Sequence, residues 1–220
     1  MSVDRLLEEQ RRYYAARAPE YEDWWWRRGR YAVDAEREAG WFADIAEVEK
    51  RLEAFAPSGS VLELAAGTGI WTRKLVVLAD RVVAVDANSE TLALNTRAAE
   101  LVQADVFEWR PRERFELCFF SFWLSHVPLT RFDEFWALVR GALKPDGRVF
   151  LIDNAVGDAA HTGTNQANDE ETRSVADGRW FRIVKRRWEP DELRARVQPL
   201  GFDLDLDVSA HGHFLFGGTA

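Results

Sequence analysis

The segment VLELAAGTGIWT, residues 61 to 72, constrains this chain more than any other: an apolar run enters a turn of small residues and leaves as the start of a helix. Gly67 and Gly69 are spaced to let the backbone approach a ligand closely at a helix N-terminus. A lone G-x-G fits a plain strand-to-helix turn as well as a nucleotide-facing loop. The next apolar run narrows the choice. Seventeen residues after Gly69 it ends in Asp86, the place from which an acid accepts hydrogen bonds from ribose hydroxyls.

Beyond the loop, short apolar runs alternate with helical patterns. VLEL (61–64), VVAV (82–85), LVQA (101–104), LCFF (117–120) and VFLI (149–152) read as strands, with helices expected over 70–79, 89–99 and 131–143. Strands buried on both faces and separated by helices make a parallel sheet, and right-handed crossovers make it doubly wound. Ser89 and Thr130 are placed as N-caps, Asp133 following Thr130 by three residues, and KPDG at 144–147 is a helix stop and turn. Upstream, residues 34–56 set Trp41, Ile45, Val48, Leu52 and Phe55 at helical spacing. Downstream, 154–178 reads as a long excursion folding over a site, RWFRIVKRRW (179–188) as a strand, and PDELRARVQPLGF as a helix with Pro190 in its first turn and Gly201 at its end. FDLDLDVS and HFLFG close the chain as a hairpin at the sheet edge.

Composition excludes several functions. A chain of 220 residues is one domain. No apolar stretch reaches the length of a membrane span, and MSVDRLLEEQRRYY lacks the apolar core of a signal segment. Cys118 is the single cysteine, so no internal disulfide forms and a reducing cytoplasm is the expected location. A net charge of -8, from 37 acidic and 29 basic residues, argues against nucleic acid as partner. The one surplus is ten tryptophans, three of them consecutive at Trp24, Trp25 and Trp26.

Two nucleotide sites compete for the glycine loop. A dinucleotide fingerprint wants a small residue where Thr72 stands, after Trp71, which counts against NAD. The run Glu63-Leu64-Ala65-Ala66-Gly67-Thr68-Gly69 instead resembles the acid-led E-x-G-x-G-x-G motif of class I S-adenosylmethionine-dependent methyltransferases, with Ala65 in place of the first glycine. The resemblance spans most of residues 41–217. It implies an α/β fold: a Rossmann-like seven-stranded sheet, six strands parallel and one antiparallel at the C-terminal hairpin, under an N-terminal helical lid. The expected organisation is a single domain, with a lid at 1–33, a cofactor-binding core at 34–153, a flap at 154–180, and a C-terminal helix and hairpin at 181–220.

The same resemblance assigns S-adenosylmethionine as cofactor and S-adenosylhomocysteine as product. It implies Asp86 on the ribose, Ala87 and Asn88 beside the adenine, Asp105 on the adenine amino group with Val106 alongside, and Ser121 beside the methionine part. Ala65, Gly67, Gly69 and Thr72 belong to the loop, and Glu63, inside a buried run, supports it. Tyr14 and Tyr21 join the cofactor residues from the lid, with Tyr13 near them.

Methyl transfer needs alignment more than acid–base chemistry, and a general base matters only for a protonated acceptor. Among four histidines, His126 in the loop after the fourth strand is placed either as that base or as a wall. Trp25, Trp26, Arg30, Trp123, His126 and Asp153 are the expected acceptor residues, with Asn154 and Arg28 as further candidates. The tryptophans suggest a pocket for something flat and apolar. His161 is a flap residue, and His211 and His213, without nearby cysteine, are poor metal ligands. The expected function is methyl transfer to oxygen or nitrogen of a small molecule, with an aromatic or specialised metabolite as the candidate acceptor, by a monomer or homodimer, with no metal, nucleic acid or membrane partner. FWLSHVP stands where an amino-methylating D/N-P-P-Y motif would fall. A cyclase or lyase consuming the same cofactor, a noncatalytic binder and an NAD-linked reductase are the alternatives.

Overall fold

The computed structural model describes residues 2–96, 99–156 and 169–219. Seven strands form the main sheet: β1 (Ser60–Leu64), β2 (Arg81–Asp86), β3 (Glu100–Gln103), β4 (Phe115–Ser121), β5 (Leu143–Asn154), and the terminal pair β8 (Leu204–Val208) and β9 (Phe214–Thr219). Their order is β3-β2-β1-β4-β5-β9-β8, with β9 antiparallel to both neighbours and the other six parallel, as expected. The chain leaves β1 toward β2 on one side, and β4 lies on the other. The crevice beyond the carboxyl ends of β1 and β4 is thus the switch point where such sheets bind ligands.

Alternation along the strands divides the core. Leu62, Leu64, Val83, Val85, Cys118, Phe120, Val149 and Leu151 face one layer; Val61, Val82, Leu117, Phe119, Phe150 and Ile152 face the other. Over the second face lies α3 (Ala35–Phe55), capped by Asp34 and burying Trp41, Ile45, Val48 and Leu52, with α4 (Thr72–Leu78) beside it. Over the first lies α6 (Phe132–Ala142), burying Phe132, Phe135, Trp136 and Val139. At the N-terminus, α1 (Val3–Arg17) and α2 (Tyr21–Trp25) close over the crevice.

Several local expectations change. The helix expected over 89–99 shrinks to α5 (Ser89–Leu92), with Asn88 rather than Ser89 at the N-cap position. A 3-10 turn occupies Leu129–Arg131, so Arg131, not Thr130, precedes α6. KPDG ends α6 but stays within β5, where partners jump from Phe115↔Leu143 to Leu117↔Arg148. The extra residues between them form a bulge. Within the expected flap, 157–168 and His161 lie outside the described residues, but Glu170–Ser174 is a strand, β6. It pairs antiparallel with β7 (Trp180–Val184) as a separate two-stranded ribbon against α1. After it comes α7 (Pro190–Val197), and Gly201 ends the following turn at φ +81°. A buried carboxylate, Asp44, ties the terminal hairpin to α3 by accepting from Ser209 Oγ and both His211 and His213 imidazoles. Those two histidines are therefore structural anchors.

Candidate active site

The loop after β1 owes its shape to three positive-φ residues. Ala65 sits at φ +54°, Gly67 at +56° and Gly69 at +85°. Alanine thus takes the left-handed conformation that a glycine would hold, at a cost of about 1 kcal/mol. A Cβ on Gly67 would meet nothing within 4 Å, so its backbone lies open to the crevice. Gly69 serves another purpose: a Cβ there would come within 2.2 Å of Asn95 Oδ1. Its bareness admits the Asn95 side chain, not a ligand.

Behind the loop runs a buried polar chain. Asn95 Nδ2 donates to Thr72 Oγ1 at 2.9 Å, and that hydroxyl donates to Glu63 Oε2 at 2.5 Å. Burial pushes the Glu63 carboxyl up to about 8, against the lowering pull of the Thr72 bond. Glu63, Gly69 and Thr72, expected among the cofactor residues, line no part of the crevice; they brace the loop from behind.

Asp86 closes β2 and lines the cleft there. Its Oδ2 accepts from Gly67 N–H at 2.9 Å, and Oδ1 from Asn88 N–H at 2.9 Å and Thr91 Oγ1 at 3.1 Å. Burial pushes its carboxyl upward while these bonds pull it back. A carboxylate has about four acceptor positions, so one remains for a ligand hydroxyl. Ala65, Gly67, Asp86, Ala87, Asn88, Asp105, Val106, Ser121, Tyr14 and Tyr21 all line one cleft of about 770 Å³. An open glycine, an acid at the second strand end and a slot beside Val106 and Phe107 for a flat ring together suit an adenosyl group.

The lid supplies residues that sequence reasoning missed. Leu7, Gln10 and Arg11 of α1 line the same cleft. Arg11 forms an ion pair with Asp105, whose other oxygen accepts from Phe107 N–H at 2.9 Å. Gln10 accepts from Val184 N–H at 2.9 Å and donates to the His126 carbonyl at 3.3 Å, joining α1 to β7 and the β4 loop. Phe122, a bulky residue at φ +51°, is held there by its N–H to Ile152 O at 2.7 Å and by Trp24, 5.2 Å away edge-on. Such strain persists where surroundings over-determine it.

Tyr14, Tyr21, Phe122 and His126 also border a second chamber of about 470 Å³, so the two spaces share a wall. Arg17, Arg173, Lys185 and Arg187 line this chamber with Asn154 and Trp24, and among the described residues no carboxylate does. Lys185 Nζ donates to Ser125 Oγ at 2.8 Å and Asn154 Oδ1 at 2.7 Å, with Asp153 at 3.7 Å. Burial lowers Lys185 to about 8, the Asp153 charge opposing that shift. His126 is fixed from both sides. Val184 O, 2.6 Å from Nδ1, requires a proton there, so Nε2 accepts from the Tyr14 hydroxyl at 2.7 Å. Burial, reinforced by Lys185, holds the imidazole well below its usual range, and it is neutral.

Of the other expected acceptor residues, Trp123 lines the first cleft rather than the second chamber. Asp153 is buried beneath the chamber, accepting from Ser125 N–H at 2.8 Å. Trp25 is 1% exposed among Trp41, Trp71 and Phe214, where its carbonyl accepts from Trp41 Nε1. Trp26 stacks on Phe42, and Arg30 joins Glu20 to the Ser174 carbonyl. None of these last three lines either space; helical turning of α2 sends only Trp24 toward the chamber. Trp24, Trp25 and Trp26 do not together form a flat, apolar pocket, and the second chamber is lined largely by cations. A sequence signal existed: Ile183 near the end of β7 and Lys185 and Arg187 just after it recur at every second residue, and all three line the chamber.

A methyltransferase-domain family profile matches residues 61–147. No curated protein sequence matches. Two solved structures of DhpI are similar over the whole chain. The DhpI–SAM–HEP complex is 35% identical with a TM-score of 0.83 and 100% of each chain covered, and the DhpI–SAH complex 36% identical with a TM-score of 0.79 and 98% of that chain covered. The 1,6-didemethyltoxoflavin-N1-methyltransferase of Burkholderia thailandensis, 17% identical over 100% of this chain and 90% of its own with a TM-score of 0.68, shares the fold. On this sequence identity, over full length and with the cleft described, the protein belongs to the class I S-adenosylmethionine-dependent methyltransferases, enzymes for which S-adenosylmethionine is the methyl donor and S-adenosylhomocysteine the product.

Proposed function

We propose that the enzyme methylates an oxygen of a small anionic molecule. The observation that carries this reading is the chamber lined by Arg17, Arg173, Lys185 and Arg187, with no carboxylate among the described residues, sharing its wall with the cofactor cleft. Cations at that density favour an oxyanion and repel an ammonium acceptor. The sulfonium brings an already activated methyl, so the chain's residues have only to align the acceptor and exclude water. An anionic oxygen has a free lone pair, which removes the need for a base. That agrees with a neutral His126 whose Nε2 is committed to Tyr14. His126 and Tyr14 then act as the wall setting the acceptor's approach.

Incubating the enzyme with methyl-labelled S-adenosylmethionine and a native metabolite extract, then tracing the label by mass spectrometry, tests the proposal. The label is expected in a methyl ester of a small acid. Label in neutral or amine acceptors only would overturn it, as would methylthioadenosine formed with no acceptor labelled.

A further inference from the structure

Phe122, the residue that follows β4, sits at φ +51°, a conformation that a bulky side chain rarely adopts. That turn redirects its ring. Cys118 and Phe120 of β4 face one layer and Leu117 and Phe119 the other, so alternation would send Phe122 to the layer of Phe120. It packs instead against the opposite layer, where its ring meets Trp24 edge-on at 5.2 Å, Phe214 at 5.9 Å and Trp25 at 6.0 Å. Its N–H donates to Ile152 O at 2.7 Å, so backbone and ring are both held. Among the described residues, four border both the cofactor cleft and the second chamber: Tyr14, Tyr21, Phe122 and His126. Three carry a polar ring atom, and Phe122 alone is wholly apolar. Strain of this kind clusters at sites where it aims a side chain.

We propose that Phe122 is a specificity-determining residue for the donor: its fixed ring closes part of the wall between the two spaces and limits the transferable group on sulfur to a methyl. From the proposed function this takes only that the acceptor approaches through the second chamber, and not the acceptor's charge. A methyl passing from a donor in the first space to an acceptor in the second crosses the wall beside this ring. An apolar ring edge there makes room for a methyl and offers no hydrogen bond to water. A longer alkyl group has to push the ring back. The Ile152 bond and the three aromatic neighbours resist that movement, and one added methylene against an unyielding wall costs roughly tenfold or more.

The probes are S-adenosylmethionine, S-adenosylethionine, which carries one more methylene on sulfur, and S-adenosylhomocysteine, which carries no group there. Calorimetry without acceptor compares them on wild type, Phe122→Gly, Phe122→Asn and Phe122→Leu. Glycine and asparagine tolerate the left-handed backbone, so these two variants remove the ring without adding strain. On wild type the methyl donor is expected to bind at least tenfold tighter than the ethyl one. That ratio is expected to fall within threefold in Phe122→Gly and Phe122→Asn, and to an intermediate value in Phe122→Leu, with S-adenosylhomocysteine affinity changing by no more than about threefold. A ring with a merely structural role would lower all three affinities together and leave the ratio unchanged. Equal wild-type affinities for the methyl and ethyl donors would overturn the size limit. An undiminished ratio in variants that still bind S-adenosylhomocysteine would remove Phe122 from the role. If the glycine and asparagine variants do not fold, Phe122→Leu decides, because its backbone demand is that of the wild type: a lowered ratio supports the proposal and an unchanged one overturns it. No acceptor is present, so the acceptor's charge is tested separately by the methyl-label experiment.

Discussion

The Tyr14 hydroxyl donates to His126 Nε2 at 2.7 Å while Nδ1–H of the same ring is held by the Val184 carbonyl at 2.6 Å, so both imidazole nitrogens are committed within the wall between the two chambers. Burial and Lys185 keep that ring neutral. No proton enters or leaves it in the working range. The kcat profile of the wild type is therefore expected to be flat between about pH 6 and pH 7.5, because an imidazole held well below 6.5 does not titrate there. A limb at an ordinary histidine value, lost in His126→Gln, would restore His126 as a general base.

Asp86 shapes the glycine loop through Gly67 N–H, and the sequence expectation gives it a second task, accepting from the ribose. Asp86→Ala removes both. Affinity for S-adenosylhomocysteine is expected to fall at least tenfold by calorimetry, in line with loss of a charge-assisted hydrogen bond worth about 1.5–3 kcal/mol. Unchanged affinity would show that the acid is only a turn residue.

On the proposed anionic-acceptor reading, Lys185 gives the second chamber a pH limit. Its ammonium loses its proton near 8 because burial disfavours the charge. Below that value the cation holds the acceptor, and above it the attraction weakens. KM for the acceptor is expected to rise as pH passes about 8, with kcat less affected. Lys185→Met should raise KM at least tenfold at neutral pH and erase the alkaline limb, leaving S-adenosylhomocysteine affinity within about twofold, since a buried charge contact is worth a few kcal/mol only to its own partner.

Glu63 makes a stability prediction of definite sign. Its folded value is raised to about 8 from 4.5, so between those values the unfolded chain releases a proton that the folded one retains, and stability falls as pH rises. Glu63→Gln keeps an acceptor for Thr72 and removes the titration. Its thermal midpoint is expected to exceed that of wild type by a few degrees at pH 8, with the gain shrinking toward pH 5. A variant less stable at pH 8 would mean the carboxylate is ionised in the fold.

How far the sequence reads depends on where each signal originates. The sheet was legible because strand alternation and the glycine loop are local, and Asp86, Asp105 and the β4 loop follow from strand ends. What failed depended on distant packing. Trp24, Trp25 and Trp26 are equivalent on paper, yet one turn of α2 and the Trp41 hydrogen bond send Trp25 into the core and Trp24 to the chamber. Arg17, Arg173 and Lys185 meet only because the β6–β7 ribbon packs on α1, and nothing in their spacing along the chain declares it. Glu63 and Gly69 carried the motif correctly, but their partners, Thr72 and Asn95, turn them toward the loop's back.

The central claim is a methyl donor cleft joined to a cationic acceptor chamber. It is tested most directly by separating a metabolite extract on an anion-exchange column at neutral pH and measuring S-adenosylhomocysteine formation with each fraction. Turnover is predicted with the retained, acidic compounds and none with the flow-through. Turnover confined to the neutral and basic flow-through would contradict the account.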